Sequence, residues 1–284
     1  MTINQKLKTK KPNSKLFALA LTCITVCLCQ TASANQLDNL KASQYGPKLN
    51  LEGVYLPAPE NTPRVNIESL GVGGYLIKWR TDEIMFAPSY TNPDPISLLL
   101  NTKPNPKIID RLLPNVSNVE MILVGHAHYD HLLDVPYIMA NYATNAVVYG
   151  SKTMKHLIAQ ELRNSGLNPS ERIHIMNDEA ATVSDADSGT TGQAGTWVYN
   201  QSRTIRIMAI NSNHAPNATL FSGAILDANG DLIGEEIEFL FEISKGSLDE
   251  DLDAMPTTAF LWKEGQSFAY IVDFMDGDDN VAFR

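Results

Sequence analysis

The stretch Gly125-His126-Ala127-His128-Tyr129-Asp130-His131 sets four metal-ligand side chains, His126, His128, Asp130 and His131, within six consecutive positions. Three of the six histidines of the chain fall here. The apolar run Val119-Glu120-Met121-Ile122-Leu123-Val124 before it reads as a buried strand, which places the ligands on the loop at that strand's carboxyl end. Imidazole and carboxylate together suit zinc and related borderline metals, whereas calcium and magnesium prefer oxygen ligands. The bland alternative is a His-rich surface turn. Such tracts rarely follow a buried strand or carry an aspartate in register.

Outward from this loop, strands and helices alternate. Val65 to Leu70, Tyr75 to Trp79 and Glu83 to Phe86 read as an antiparallel meander, joined by Gly71-Val72-Gly73-Gly74 and a tight Arg80-Thr81-Asp82 turn. After the proline-rich residues Pro88 to Pro106, the pattern predicts a short helix over Lys107 to Leu113. Beyond the histidine loop, Leu132 to Ala140 reads as helix, Ala146 to Tyr149 as strand, Lys152 to Asn164 as helix and Arg172 to Met176 as strand. This order is α/β. Asn177 to Gly195 is polar and lacks an apolar face, so it reads as a mobile excursion. Strands resume at Thr196 to Tyr199, Thr204 to Ile210 and Phe268 to Val272. Asp227-Ala228-Asn229-Gly230-Asp231 lacks the remaining ligands of a calcium loop and reads as a hairpin turn, and the acidic run Leu248 to Asp253 as a solvated loop.

The first 34 residues differ from the rest. Lys6, Lys8, Lys10, Lys11 and Lys15 lead into an apolar run from Leu16 to Cys29 and then into Thr31-Ala32-Ser33-Ala34, the pattern of a cleaved secretory leader. At about 14 residues the run is short of the roughly 20 that span a bilayer, so no stable membrane anchor is expected after cleavage. Residues 35–63 read as an N-terminal extension and 64–284 as the folded domain, periplasmic or secreted. All 3 cysteines lie in the leader, so the processed chain has neither a disulfide nor a thiolate ligand. Five of the 22 basic residues go with it, leaving 17 against 32 acidic ones. Nucleic acid or an anionic membrane would call for the opposite sign.

Two further strand ends carry ligand-type residues. His214 follows the strand ending near Ile210, and Asp273 follows the run Phe268-Ala269-Tyr270-Ile271-Val272. An HxHxDH segment with a later strand-end histidine and a later strand-end aspartate resembles the metallo-β-lactamase superfamily, over the span from Val65 to Asp273. The resemblance implies a four-layer αββα sandwich with its site at one edge between two sheets. It also implies that His126, His128 and His214 hold one metal, that Asp130 and His131 help to hold a second, and that Asp273 bridges them. One or two zinc ions are the implied cofactor, with iron or manganese as alternatives. Two metals about 3.5 to 4 Å apart bind and activate a hydroxide for attack on a carbonyl or phosphoryl centre. Asp130 would orient that nucleophile and pass a proton to the leaving group, or act as ligand alone. His156 and His174 fall inside a helix and a strand and are expected to take no part.

The chain also departs from the family pattern. Where members carry an aspartate at an early strand end, it reads Phe86-Ala87-Pro88-Ser89, and no histidine follows His214. The replaced aspartate need not prevent metal binding, whereas the missing final histidine implies a C-terminally shortened sequence, an incomplete second sheet and a weakened second metal position. The subclasses of true β-lactamases that use cysteine are excluded. Tyr129, Leu132-Leu133-Asp134 and the turn Gly71 to Gly74 are similar to the branch containing N-acylphosphatidylethanolamine phospholipase D and the ascorbate-phosphate lactonases. The expected function is a secreted metal-dependent hydrolase of a phosphodiester, lactone or amide in a small-molecule or lipid-like substrate. The alternatives are an iron-dependent sulfur oxidoreductase of the same fold and a degenerate, non-catalytic metal-binding chain.

Overall fold

A computed structural model describes residues 63–70, 73–184, 189, 191–214, 245–277 and 280–284, all within the unit Pro63–Arg284. The expected leader, nearly all of the expected extension and the turn expected at 227–231 lie outside the described residues. Strands β1 (Val65–Ser69), β2 (Tyr75–Trp79) and β3 (Asp82–Phe86) form the expected antiparallel meander. From β3 the sheet continues in parallel through β4 (Val119–Leu123), β5 (Val147–Gly150) and β6 (Ile173–Ile175), in the order β1-β2-β3-β4-β5-β6. A second sheet is antiparallel and runs β10-β9-β8-β7, from β7 (Val198–Tyr199), β8 (Ile205–Ser212), β9 (Ser267–Met275) and β10 (Val281–Phe283).

The helices are α1 (Pro95–Leu100), α2 (Pro106–Leu112), α3 (Tyr129–Leu132), α4 (Val135–Asn141), α5 (Lys152–Asn164) and α6 (Pro169–Arg172). In α5 the buried residues Met154, Leu157, Ile158 and Leu162 recur at helical spacing, and the Ser151 hydroxyl accepts from the Met154 N–H to cap the start. These side chains join Ile109, Ile138, Met139, Met85, Ile122 and Val124 in a core between the helices and the first sheet. The other faces of the same strands supply a second core. Ile84, Met121 and Leu123 pack there against Ile205, Ile207, Ala209 and Phe268 of the second sheet. Trp79, fully buried between the sheets, also donates its indole N–H to the Met275 carbonyl at 3.0 Å. Helices, first sheet and second sheet are three layers of the expected α/β sandwich. Among the described residues no helix is long and apolar enough to cross a membrane.

Three local expectations change. Leu132 to Ala140 is not one helix but α3 and α4, broken at Leu133-Asp134 because Pro136 lacks the N–H that would continue the ladder. The excursion after Asn177 is anchored at its start: Ala180 is buried, Ala181 donates to the Ala209 carbonyl and accepts from the Asn211 N–H. The acidic run near Asp251 is more than a solvated loop. Leu248 and Leu252 pack on the helical core, and Asp251 receives Lys155 and His156, each at 2.7 Å, and Arg163 at 2.7 Å.

Candidate metal centre

Parallel pairing of β3 through β6 puts their carboxyl ends along one edge of the first sheet, where the histidine loop leaves β4. The second sheet meets this edge through the start of β9, where Phe268 donates to the Gly125 carbonyl at 2.7 Å. A side chain on Gly125 would put its Cβ 3.2 Å from the Phe268 carbonyl oxygen, so close approach of the two sheets favours glycine beside His126. Ala127, between His126 and His128, donates to the Glu264 carbonyl at 2.8 Å. Because β8 and β9 are antiparallel, with Ser212 opposite Ser267, the carboxyl end of β8 reaches the same edge and delivers His214.

The result is a cluster of imidazoles. Nε2 of His214 lies 3.2 Å from Nε2 of His126, and the His126 ring is centred 4.8 Å from that of His128 and 4.3 Å from that of His131. Two ligand sets follow, His126 with His128 and His214, and His126 with Asp130 and His131, each with its ligand atoms within 4.8 Å of one another. The rings are half-buried, and the Asp130 side chain is 39% exposed, 3.4 Å from Nε2 of His131. Burial, followed by the neighbouring His131, His128 and His214, pushes the His126 imidazole down to about 2, so its lone pair is available throughout the ordinary pH range. Burial and then Asp130 push the Tyr129 phenol up to about 12, which keeps it protonated.

This donor set fits a borderline divalent ion. Three nitrogens already this close need only small side-chain shifts to reach the ~2.0–2.1 Å of a zinc–nitrogen bond, and the second set adds the carboxylate that such metals accept.

Asp273 does not join the cluster. It lies within β9 opposite Arg206, fully buried, its carboxylate bound by Arg206 at 2.9 Å and 2.8 Å and by Arg284 at 2.7 Å and 2.9 Å. The reason is strand direction. β9 meets the site with its amino end, so a residue five positions beyond Phe268 is carried about 17 Å away at ~3.4 Å per residue. The Arg284 guanidinium holds the Asp273 carboxyl low, with Arg206 reinforcing it against the opposing effect of burial. His156 lies in α5 on Asp251, and His174 in β6 on Glu179 at 2.9 Å. Asp134, read in the sequence only as part of Leu132-Leu133-Asp134 and not as a candidate site residue, is buried three residues beyond His131, and its Oδ2 accepts from the N–H groups of Tyr90 and Thr91 at 2.7 Å each. An acidic residue following a ligand motif gave no signal that it would turn inward.

No curated protein matches the chain. Among solved structures, it is similar to a metallo hydrolase from the archaeon Ignicoccus hospitalis, with 17% identity, 54% of this chain and 51% of that one covered, and a TM-score of 0.31. It is also similar to the apo state of a chemotaxis sensor from T. denticola, at 12% identity over 54% and 55% of the two chains with a TM-score of 0.30. The short form of human tRNase Z matches at 13% identity over 51% and 53%, with a TM-score of 0.30. The chain thus spans about half the length of the structures it matches. A family model described as the beta-lactamase superfamily domain matches residues 91–233. Since that match spans half of the chain and takes in both the His126–His131 loop and His214, the chain belongs to the beta-lactamase superfamily.

Proposed function

We propose that this chain is a metal-dependent hydrolase of a phosphodiester, lactone or amide, exported to the periplasm or beyond. The observation that carries the reading is the convergence of two ligand sets on His126. His126, His128 and His214 would hold one ion, and Asp130 and His131 would help to hold a neighbour. When bound, zinc or a similar ion supplies Lewis acidity and lowers the pKa of water toward neutrality.

The chain's own residues supply the rest. Asp130, partly exposed and beside His131, is placed to take a proton from the attacking water and return it to the leaving group. His126 stays a neutral donor, and the Tyr129 phenol remains protonated, leaving it unsuited to act as a base. A cavity of about 290 Å³ is lined among others by Glu68, Leu70, Ser89, Tyr90 and Leu112. Leu70 donates to the Gly74 carbonyl at 2.9 Å, and Gly73, at φ +70, stands against His131: a Cβ there would lie 3.7 Å from its Cε1. That volume, at the small end for ligand sites, suits a small or slender lipid-like group. Tyr129, the Leu132-Leu133-Asp134 sequence and the early glycine turn favour the phospholipase D and lactonase branch. The excess of acidic residues argues against nucleic acid as substrate.

The test is a hydrolysis panel of nitrocefin, bis-nitrophenyl phosphate and simple lactones, run on the zinc-loaded and the chelator-stripped chain. Turnover of a phosphodiester or lactone that needs metal and falls at least ~100-fold in His128→Ala supports the reading. Absence of any hydrolysis, with co-purified iron and oxygen consumption in the presence of thiols, would replace it with the sulfur-oxidising alternative.

A further inference from the structure

The two ligand sets are held by different parts of the fold. His126 and His128 are fixed from the second-sheet side, through the Phe268–Gly125 and Glu264–Ala127 backbone bonds. His131 and Asp130 lie instead on the single turn of α3, joined to the loop before it by the His131 N–H, which donates to the His128 carbonyl at 3.1 Å. The next residue with a buried polar anchor is Asp134, at 1% exposure.

Asp134 stands at the amino end of α4, where an aspartate ordinarily accepts from the second or third N–H of its own helix. It makes no such bond. Its Oδ2 turns back to the chain after β3 and accepts from Tyr90 and Thr91, each at 2.7 Å, short distances for a carboxylate taking two N–H donors. Thr91 is itself buried, and its hydroxyl accepts from the Asn105 N–H at 2.8 Å, which extends the tie to the start of α2. Leu133 donates to the Tyr129 carbonyl at 2.9 Å, so the hydrogen-bonded turn that carries Asp130 and His131 closes on the residue next to Asp134. A displacement of Asp134 is therefore passed first to Asp130 and His131, while His126 and His128 are held in addition by the backbone bonds of Gly125 and Ala127 to the second-sheet side.

We infer that Asp134 is a positioning residue for the second ligand set, holding the Asp130–His131 turn to the backbone at Tyr90 and Thr91. This rests on the metal-site reading above. Giving up a helix cap to make these two bonds is the mark of a side chain whose place is set by the tie. Its effect is selective: removing the acceptor loosens Asp130 and His131 and spares the set of His126, His128 and His214. Restoring an acceptor of the same size restores the position.

Cobalt(II) titrated into the metal-free full chain, read by its visible absorption, tests this in wild type, Asp134→Ala and Asp134→Asn. The wild type should take up two equivalents. Asp134→Ala should bind the first unchanged and the second about tenfold or more weakly, and Asp134→Asn, which keeps a carbonyl acceptor, should return to within about threefold of wild type. The unchanged first equivalent shows that the variant is folded. Equal weakening of both equivalents, no effect on either, no rescue by asparagine, or only one equivalent in the wild type overturns the inference and leaves the metal-site reading in place. Failure of the wild type to bind any cobalt overturns both.

Discussion

Nε2 of His214 lies 3.2 Å from Nε2 of His126, across 88 residues of sequence and two separate sheets. The contact exists because the carboxyl ends of β4 and β8 are brought to one edge by β9, which is hydrogen-bonded to β8 along its length and to Gly125 at its start. Neither histidine is placed by local sequence alone.

His126 belongs to both ligand sets, whereas His128 and His214 belong to the first and Asp130 and His131 to the second. Replacement of His126 by alanine should therefore abolish all tight zinc binding, while His131→Ala should spare the first equivalent and remove the second. Equilibrium dialysis with metal analysis distinguishes the two variants. Equal losses from both would mean that the two sets do not exist as separate positions.

His156 and His174 are engaged elsewhere, on Asp251 and Glu179. Glutamine at either position should leave the zinc content per chain unchanged. His156→Gln should nevertheless cost stability, about 1–3 kcal/mol, because a buried ring and its bond to the Asp251 carboxylate are lost. Urea unfolding of the variants measures the cost, and a fall in zinc content like that of His128→Ala would show that the site is misplaced.

Asp251 and Asp273 should govern the acid limb of stability. Burial alone would raise Asp251, but hydrogen bonds from Lys155, Arg163 and His156 outweigh it and hold the carboxyl well below its ordinary value. Asp273 is held low by Arg284 and Arg206 in the same way. A folded-state value below the unfolded one, ~3.9, gives stability that is fully present above about pH 4 and lost as pH falls through the folded value. Asp251→Asn should therefore melt below the wild type at pH 7, with the gap closing toward pH 2. A gap that widens on acidification would contradict the assignment.

Trp79 fills the space between the sheets and bonds to Met275 at the far end of β9 from the site. Its replacement by alanine should destabilise the fold by about 3–5 kcal/mol. Chemical denaturation reads this directly, and a loss under about 1 kcal/mol would mean that the sheets are not packed through this residue.

Much of the fold was legible because its first half is built from short, sharply punctuated elements. Tyr75–Trp79 and Lys152–Asn164 are bounded as their patterns predict, the first by a tight turn and the second by the Ser151 cap. The convergence of the candidate ligands His126, His128, Asp130, His131 and His214 was legible, since each follows an apolar strand. Asp273 also follows an apolar run, and that is why it misled. Sequence shows that a strand ends but not which way it runs against its neighbours, and β9 meets the site with its other end. Asp134 was not read as a site residue for a related reason. Its partners are backbone N–H groups at Tyr90 and Thr91, which no side-chain pattern records.

Zinc titration of the metal-free chain, compared across wild type, His126→Ala, His128→Ala and His214→Ala, tests the metal centre most directly. We expect one tight equivalent in the wild type that each of the three substitutions abolishes, with the second, weaker equivalent dependent on His131. Wild-type zinc affinity retained in His214→Ala would contradict the convergence of the two sheets on one ion.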